Sequence, residues 1–183
     1  MLNFAFVINV SGAAPENYSV IYENDESRSI IAGVDGIEAG KAYVRELIGQ
    51  GYTLINLCGD FDDDVTEEIR KDAGEGITVE NARYTIDELA KLNKLESFHD
   101  YGMIVKMDGV DEPQWRRLEN ADCALRVVFV KDMDQAKAAA LEMVRKRVGF
   151  IELCSWFDQM MMEKISDETG GKVPIGTCGR IYR

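Results

Sequence analysis

Apolar and polar positions follow one order along the chain, and the order occurs twice. FAFVINV (4–10) and YGMIVKM (101–107) are β-rich apolar runs. A polar stretch follows each, APENYSVIYEN (14–24) and DEPQWRRLENA (111–121). Pro15 and Pro113 suit the first turn of a helix, so a short helix is expected in each stretch. SIIAGV and LRVVFV predict a second strand, and GIEAGKAYVRELIGQG and MDQAKAAALEMVRKRV predict a long helix. TLINLC and GFIELC predict a third strand. DDDVTEEIRKDAG and DQMMMEKISDETGG predict a helix closed by glycine. ITVENARY and VPIGTCGRIY supply a last strand.

The two halves also match residue by residue. With the chain shifted by 96 positions, 11 of the 45 residues from Asp35 to Val79 are identical. Unrelated sequences share about three at that length. The register continues with a one-residue shift at each end, Phe4–Ile8 facing Tyr101–Val105 and Arg83 facing Arg180. A period this long is a duplicated small domain and not a solenoid repeat. The organisation read from it is a first repeat over 1–84, a linker over 85–99 and a second repeat over 100–183. In the linker TIDELAKLNKLESF, Thr85 and Glu88 have capping-box spacing, and Ile86, Leu89, Leu92 and Leu95 predict an apolar face that packs on something.

Alternating strands and helices imply mainly parallel sheets with right-handed crossovers. Two architectures fit. One is a pseudo-twofold dimer of two small α/β repeats. The other is one compact α/β barrel closed from two half-barrels. An eight-stranded barrel takes about 250 residues, and 183 residues favour the pseudo-dimer.

The most similar stretches are INLCGDFD (55–62) and IELCSWFD (151–158). Period-two alternation sends Ile55, Leu57, Ile151 and Leu153 to one face, under the crossover helices. Asn56, Cys58, Glu152 and Cys154 are then expected to face away, toward the other half or a cavity. Each cysteine ends a strand just before a helix. Ligands of parallel α/β sheets bind outside such strand ends, and a helix N-terminus lowers the pKa of a nearby thiol. Buried, inert packing is the competing expectation for each cysteine. A carboxylate within a strand needs a partner, and Arg83, Arg180 and Lys106 are candidates for Glu152. The candidate ligand-binding set is Asn56, Cys58, Asp60, Glu152, Cys154, Arg83 and Arg180. Gly59-Asp60 is replaced by Ser155-Trp156 in the second copy, so the two turns are not equivalent.

The net charge of −12 argues against nucleic acid and anionic membrane surfaces as partners. No run approaches the roughly 20 apolar residues of a membrane span, and the N-terminal apolar run reads as a strand and not as a signal peptide. Cys58, Cys123, Cys154 and Cys178 lack CxxC spacing, which argues against zinc knuckles and a thioredoxin motif. Free thiols point to a reducing cytoplasm. Asp60, Asp62, Asp63 and Asp64 lack the glycine and glutamate of a calcium loop and fit a helix N-terminus better, so no metal is expected. The single histidine, His99, sits beside the linker, and the Met160–Met162 run fits helix packing. No phosphate-loop or dinucleotide glycine pattern occurs, and no cofactor is expected.

VGFIELCSWF and YTLINLCGDF resemble a family of small bacterial proteins of unknown function that carry an IELCGGFG-like motif after a helix. The resemblance implies a tandem pair of family units and brings no reaction with it. Two functions remain. One is a cytosolic small-molecule-binding protein, with enzymatic activity left open, whose site lies between the repeats. The other is a non-catalytic structural or partner-binding module.

Overall fold

The structure, a computed structural model, describes residues 1–182. Its strands form two five-stranded sheets and do not close into one barrel. The chain divides into two compact units, Met1–Asn81 and Ala82–Arg183.

The first unit holds β1 (Leu2–Asn9), β2 (Ser19–Glu23), β3 (Ser27–Val34), α1 (Ile37–Gly49), β4 (Leu54–Leu57), α2 (Asp63–Ala73) and β5 (Thr78–Asn81). Its sheet order is β2-β3-β1-β4-β5. Only β2 is antiparallel; β3, β1, β4 and β5 run parallel. The second unit opens with α3 (Ile86–Leu92). It continues with β6 (Asp100–Lys106), β7 (Gln114–Glu119), β8 (Ala124–Val130), α4 (Met133–Arg145), β9 (Phe150–Leu153), α5 (Gln159–Glu168) and β10 (Ile175–Thr177). Its order, β10-β9-β6-β8-β7, repeats the first element for element.

The expected short helices after β1 and β6 are strands instead. SVIYE and QWRRLE fold back as the antiparallel edge strands β2 and β7. What decides this is the turn that follows. Asn24 Oδ1 accepts from the N–H groups of Glu26 (2.8 Å) and Ser27 (2.9 Å). Asn120, its counterpart, accepts from Asp122 and Cys123 (2.9 Å each). An Asx turn of this kind closes a hairpin, and its ladder outweighs the proline signal. Pro15 forms a single turn, closed by the Tyr18 N–H on the Ala14 carbonyl, and Pro113 precedes β7.

Glycines reveal which face the helices cover. A Cβ on Gly40 of α1 would lie 3.5 Å from Val34, and one on Gly102 of β6 would lie 2.7 Å from Met143 of α4. Gly102 pairs with Ile151. Ile55, Leu57, Ile151 and Leu153 therefore belong to the helix side, as the alternation predicts, and all four are fully buried. Asn56 and Glu152 point to the far side. There Gly33 leaves room for the Tyr18 ring, 2.7 Å from where its Cβ would be.

Helix α3 forms where the capping box predicts, with the Thr85 hydroxyl accepting from the Glu88 N–H at 3.3 Å. Its packing inverts the expectation. Ile86 is 87% exposed and Leu89 44%, whereas Glu88 is 6% exposed. The Glu88 carboxylate accepts from Lys91 Nζ (2.6 Å), Ser166 Oγ (3.2 Å) and the Ile175 N–H (2.9 Å). A satisfied buried carboxylate, not an apolar stripe, docks this helix on the second unit.

Candidate functional site

The repeated octapeptide performs the same structural work in both units. Strand β4 or β9 supplies its first three residues. The Cys58 N–H donates to the Val7 carbonyl at 3.0 Å, and the Cys154 N–H to the Ile104 carbonyl at 3.1 Å. Each thiol then turns back to the central strand. Cys58 Sγ accepts from the Asn9 N–H, and Cys154 Sγ from the Lys106 N–H, both at 3.3 Å. The sulfur so extends the ladder one step past the last carbonyl, a weak acceptor's role. Phe61 and Phe157 close the turn, each donating its N–H to the cysteine carbonyl at 3.1 Å, and both rings are fully buried. Asp62 and Asp158 cap the next helix, accepting from Val65 (2.8 Å) and Met161 (2.9 Å). Asn81 Nδ2 and Thr177 Oγ1 hold the Phe61 and Phe157 carbonyls, at 2.9 and 2.5 Å.

Both thiols are therefore buried and engaged as acceptors. Cys154 is 3% exposed, and burial pushes its thiol from 9.0 up to about 11. The lowering expected from the helix N-terminus is overturned by desolvation. All four cysteines are buried and none is in a disulfide.

Around this shared frame the copies diverge. In the first unit Asn9 ends the central strand. Its Nδ2 donates to Asp60 Oδ2 at 3.2 Å, and its Oδ1 accepts from the Gly36 N–H at 2.8 Å. Gly36 has φ of 101°, a conformation that suits glycine, and it serves as the N-cap of α1 with no side-chain cap. One amide thus ties together the ends of β1, β3 and the β4 turn. Asp35 Oδ2 accepts from the Gly12 N–H at 3.0 Å beside it. Asp60 and Gly59 are exposed.

In the second unit Lys106 replaces Asn9 and Trp156 replaces Asp60. Lys106 Nζ lies 5.5 Å from the Trp156 ring centroid and 2.5 Å from Asp108. The indole packs edge-on against Phe157 at 5.0 Å. Gln135 closes the rest of the rim, accepting from the Lys131 N–H (2.9 Å) and donating to the Asp111 carbonyl (2.8 Å).

Glu152 lies deeper, on the far face of β9, 2% exposed. Tyr84 Oη donates to Glu152 Oε2 at 2.7 Å, and Tyr101 Oη donates to Oε1. The Tyr101 ring stacks on Phe150 at 4.5 Å, and Phe98 meets Phe150 edge-on at 5.7 Å. The expected cationic partners are elsewhere. Arg83 pairs with Thr177, which shares the helix side with Leu153, so Arg83 leaves the strand edge on that side. Its Nε is buried with no hydrogen-bond partner among the described residues. Arg180 is exposed, 5.1 Å from the Tyr182 ring centroid. Lys106 is held by Trp156 and Asp108 as above. His99 precedes β6, at the opposite end of the sheet from Cys154, and pairs with Asp100 at 3.4 Å.

Of the candidate residues, then, Cys58 meets Asp60 through Asn9. Asn56 is buried in the middle of its sheet, Glu152 lies on β9 with Cys154 just past its end, and Arg83 and Arg180 stand apart. Asn9, Tyr84 and Tyr101 are the residues that sequence reasoning missed. A polar residue within the apolar run FAFVINV was the available signal for Asn9.

Among the described residues no three His, Cys, Asp or Glu side chains converge as a metal site, and no helix is long and apolar enough to cross a membrane. A groove of about 360 Å³ between α1 and α2 is lined by charges that pair with each other, Lys41 with Glu38 and Glu68 and Arg45 with Asp72. It is a charged seam between two helices whose ion pairs are already made within it. No curated protein and no solved structure matches the chain. The sequence model of one family matches twice, over residues 2–97 and 99–179. The chain belongs to that family, DUF6506, a family of unknown function, and carries its unit in tandem duplication.

Proposed function

We propose that this is a cytosolic small-molecule-binding protein whose site lies at the carboxyl ends of β1 and β4 in the first unit. One observation carries the proposal. The connections leaving β1 and β4 run in opposite directions, β1 toward β2 and β3 and β4 toward β5. The crevice outside such a switch point is where open α/β sheets bind ligands. Asn9 flanks it on one side and Cys58, Gly59 and Asp60 on the other. At the same position in the second unit Lys106 lies against the Trp156 ring instead, 5.5 Å from its centroid.

The groups at the first crevice favour a donor-rich ligand. Asp35, Asp60 and the Asn9 carbonyl oxygen are acceptors, and the nearby glycine N–H groups are already engaged. A neutral polyol or a small amine fits this set; an anion does not. Binding without covalent chemistry is the form supported, because the Cys58 thiol at this crevice is buried and already accepts from the Asn9 N–H. Four cysteines outside any disulfide fit a reducing compartment.

A thermal-shift screen with matched panels of polyols, amines and organic acids tests this. A ligand at 100 times its Kd adds about 2.7 kcal/mol, roughly 5–10 °C for a chain of this size. The expected hits fall in the first two panels and disappear in Asp60→Trp. Hits confined to the acids, or none in any panel, would leave the non-catalytic partner-binding module as the better description.

A further inference from the structure

The family unit and the folded unit end in different places. The first family match runs to residue 97, whereas the first compact unit stops at Asn81. Residues 82–97 thus belong by sequence to the first repeat and by packing to the second. We propose that this segment is an arm, and that the outer edge of β10 is a docking site that binds it as a ligand, with no need for the covalent link beyond residue 97.

Each contact of the arm is of the kind a peptide makes on a sheet edge. Arg83 and Thr177 exchange two backbone hydrogen bonds, both 2.9 Å, adding a short antiparallel bridge beyond β10. Tyr84, one residue on, turns to the far face and reaches Glu152 at 2.7 Å. Its ring lies over Gly176, where a Cβ would come within 2.6–2.9 Å of three ring atoms. Glycine at 176 therefore provides the seat for the arm's aromatic side chain. Thr85 caps α3, which brings Glu88 back onto the edge. There its carboxylate takes the outward N–H of Ile175 and the hydroxyl of Ser166. The arm satisfies a buried carboxylate on the sheet, and the sheet satisfies a buried carboxylate on the arm. Such reciprocal pairing belongs to a binding interface and not to a spacer.

The experiment uses the whole chain with a protease site inserted between Glu96 and Ser97, both exposed. After cleavage the two pieces are expected to co-elute in size-exclusion chromatography at micromolar concentration. Gly176→Ala, which removes the seat for Tyr84, is expected to weaken the nicked pair at least tenfold, measured by dilution with a fluorophore on each piece. Glu88→Ala, on the arm side, provides the same reading should Gly176→Ala fail to fold. A synthetic peptide of residues 82–96 added in excess is expected to displace the fragment 1–96. Separation of the pieces on cleavage would overturn the proposal. So would a nicked pair whose affinity ignores both substitutions and the peptide.

Discussion

At the carboxyl end of its central strand the first unit has an asparagine bonded to an aspartate; the second has a lysine against a tryptophan. Beneath them the two frames coincide. Each has a thiol accepting from the central strand, a buried phenylalanine closing the turn and an aspartate capping the helix. The difference teaches what duplication leaves free. Residues whose polar groups are consumed by the turn stay the same, while those that look outward from it diverge. Cysteine, in a motif that invites a catalytic reading, falls in the first group.

The comparison breaks most readily in the core. Leu57→Ala and Leu153→Ala remove equivalent, fully buried side chains, and each is expected to cost about 2–5 kcal/mol in its own unit. Denaturant unfolding followed separately in the two units checks this. A loss below 1 kcal/mol in either would show that the frames are not equivalent.

Cys154 sharpens the comparison through pH. Its thiol is raised from 9.0 to about 11 in the fold. Between those values the unfolded chain has lost the proton and the folded chain keeps it, so stability falls as pH rises from about 9 to about 11. The full loss is about 2–3 kcal/mol for a shift of that size. Below pH 9 the thiol contributes no pH dependence. Cys154→Ala should flatten that part of the stability curve relative to the parent. An unchanged curve would contradict the burial argument, as would rapid alkylation of Cys154 at neutral pH.

Glu152→Ala strands two phenol hydroxyls in a buried site and should cost about 1–3 kcal/mol. Tyr84→Phe should cost less, about 1 kcal/mol, because Tyr101 still donates to the carboxylate. Chemical denaturation of both variants orders them. If Tyr84→Phe proved the more harmful, the carboxylate would not be the centre of that cluster. Smallest is Trp156→Gly, which removes a side chain 40% exposed and should change stability by under about 1 kcal/mol. Its interest lies in whether the second crevice then binds what the first one binds.

Much of this architecture is legible in the sequence because strand and helix periodicities are strong over the paired runs. The duplication, the face of Ile55 and Leu57, and the cap at Thr85 all follow from spacing. The helices expected at Pro15 and Pro113 fail because an asparagine turn several residues later makes a hairpin available, and only the sheet reveals its worth. The apolar face of α3 fails for a related reason. Spacing registers Ile86 and Leu89, but it cannot show that Glu88 meets a strand-edge N–H 87 residues away. The partners of Glu152 fail likewise. A cation was the natural expectation, yet two phenols brought in from either side of the linker serve instead. Asn9 and Asp60 are 51 positions apart, and nothing local joins them.

The central claim is the proposal that a small molecule binds beside Asn9 and Asp60 in the first unit and not beside Lys106 and Trp156 in the second. The most direct measurement is ligand-observed NMR with polyol and amine panels on the parent chain, on Asp60→Trp and on Trp156→Gly. Binders of the parent should vanish with Asp60→Trp and persist with Trp156→Gly. Binders that survive Asp60→Trp unchanged would contradict the claim.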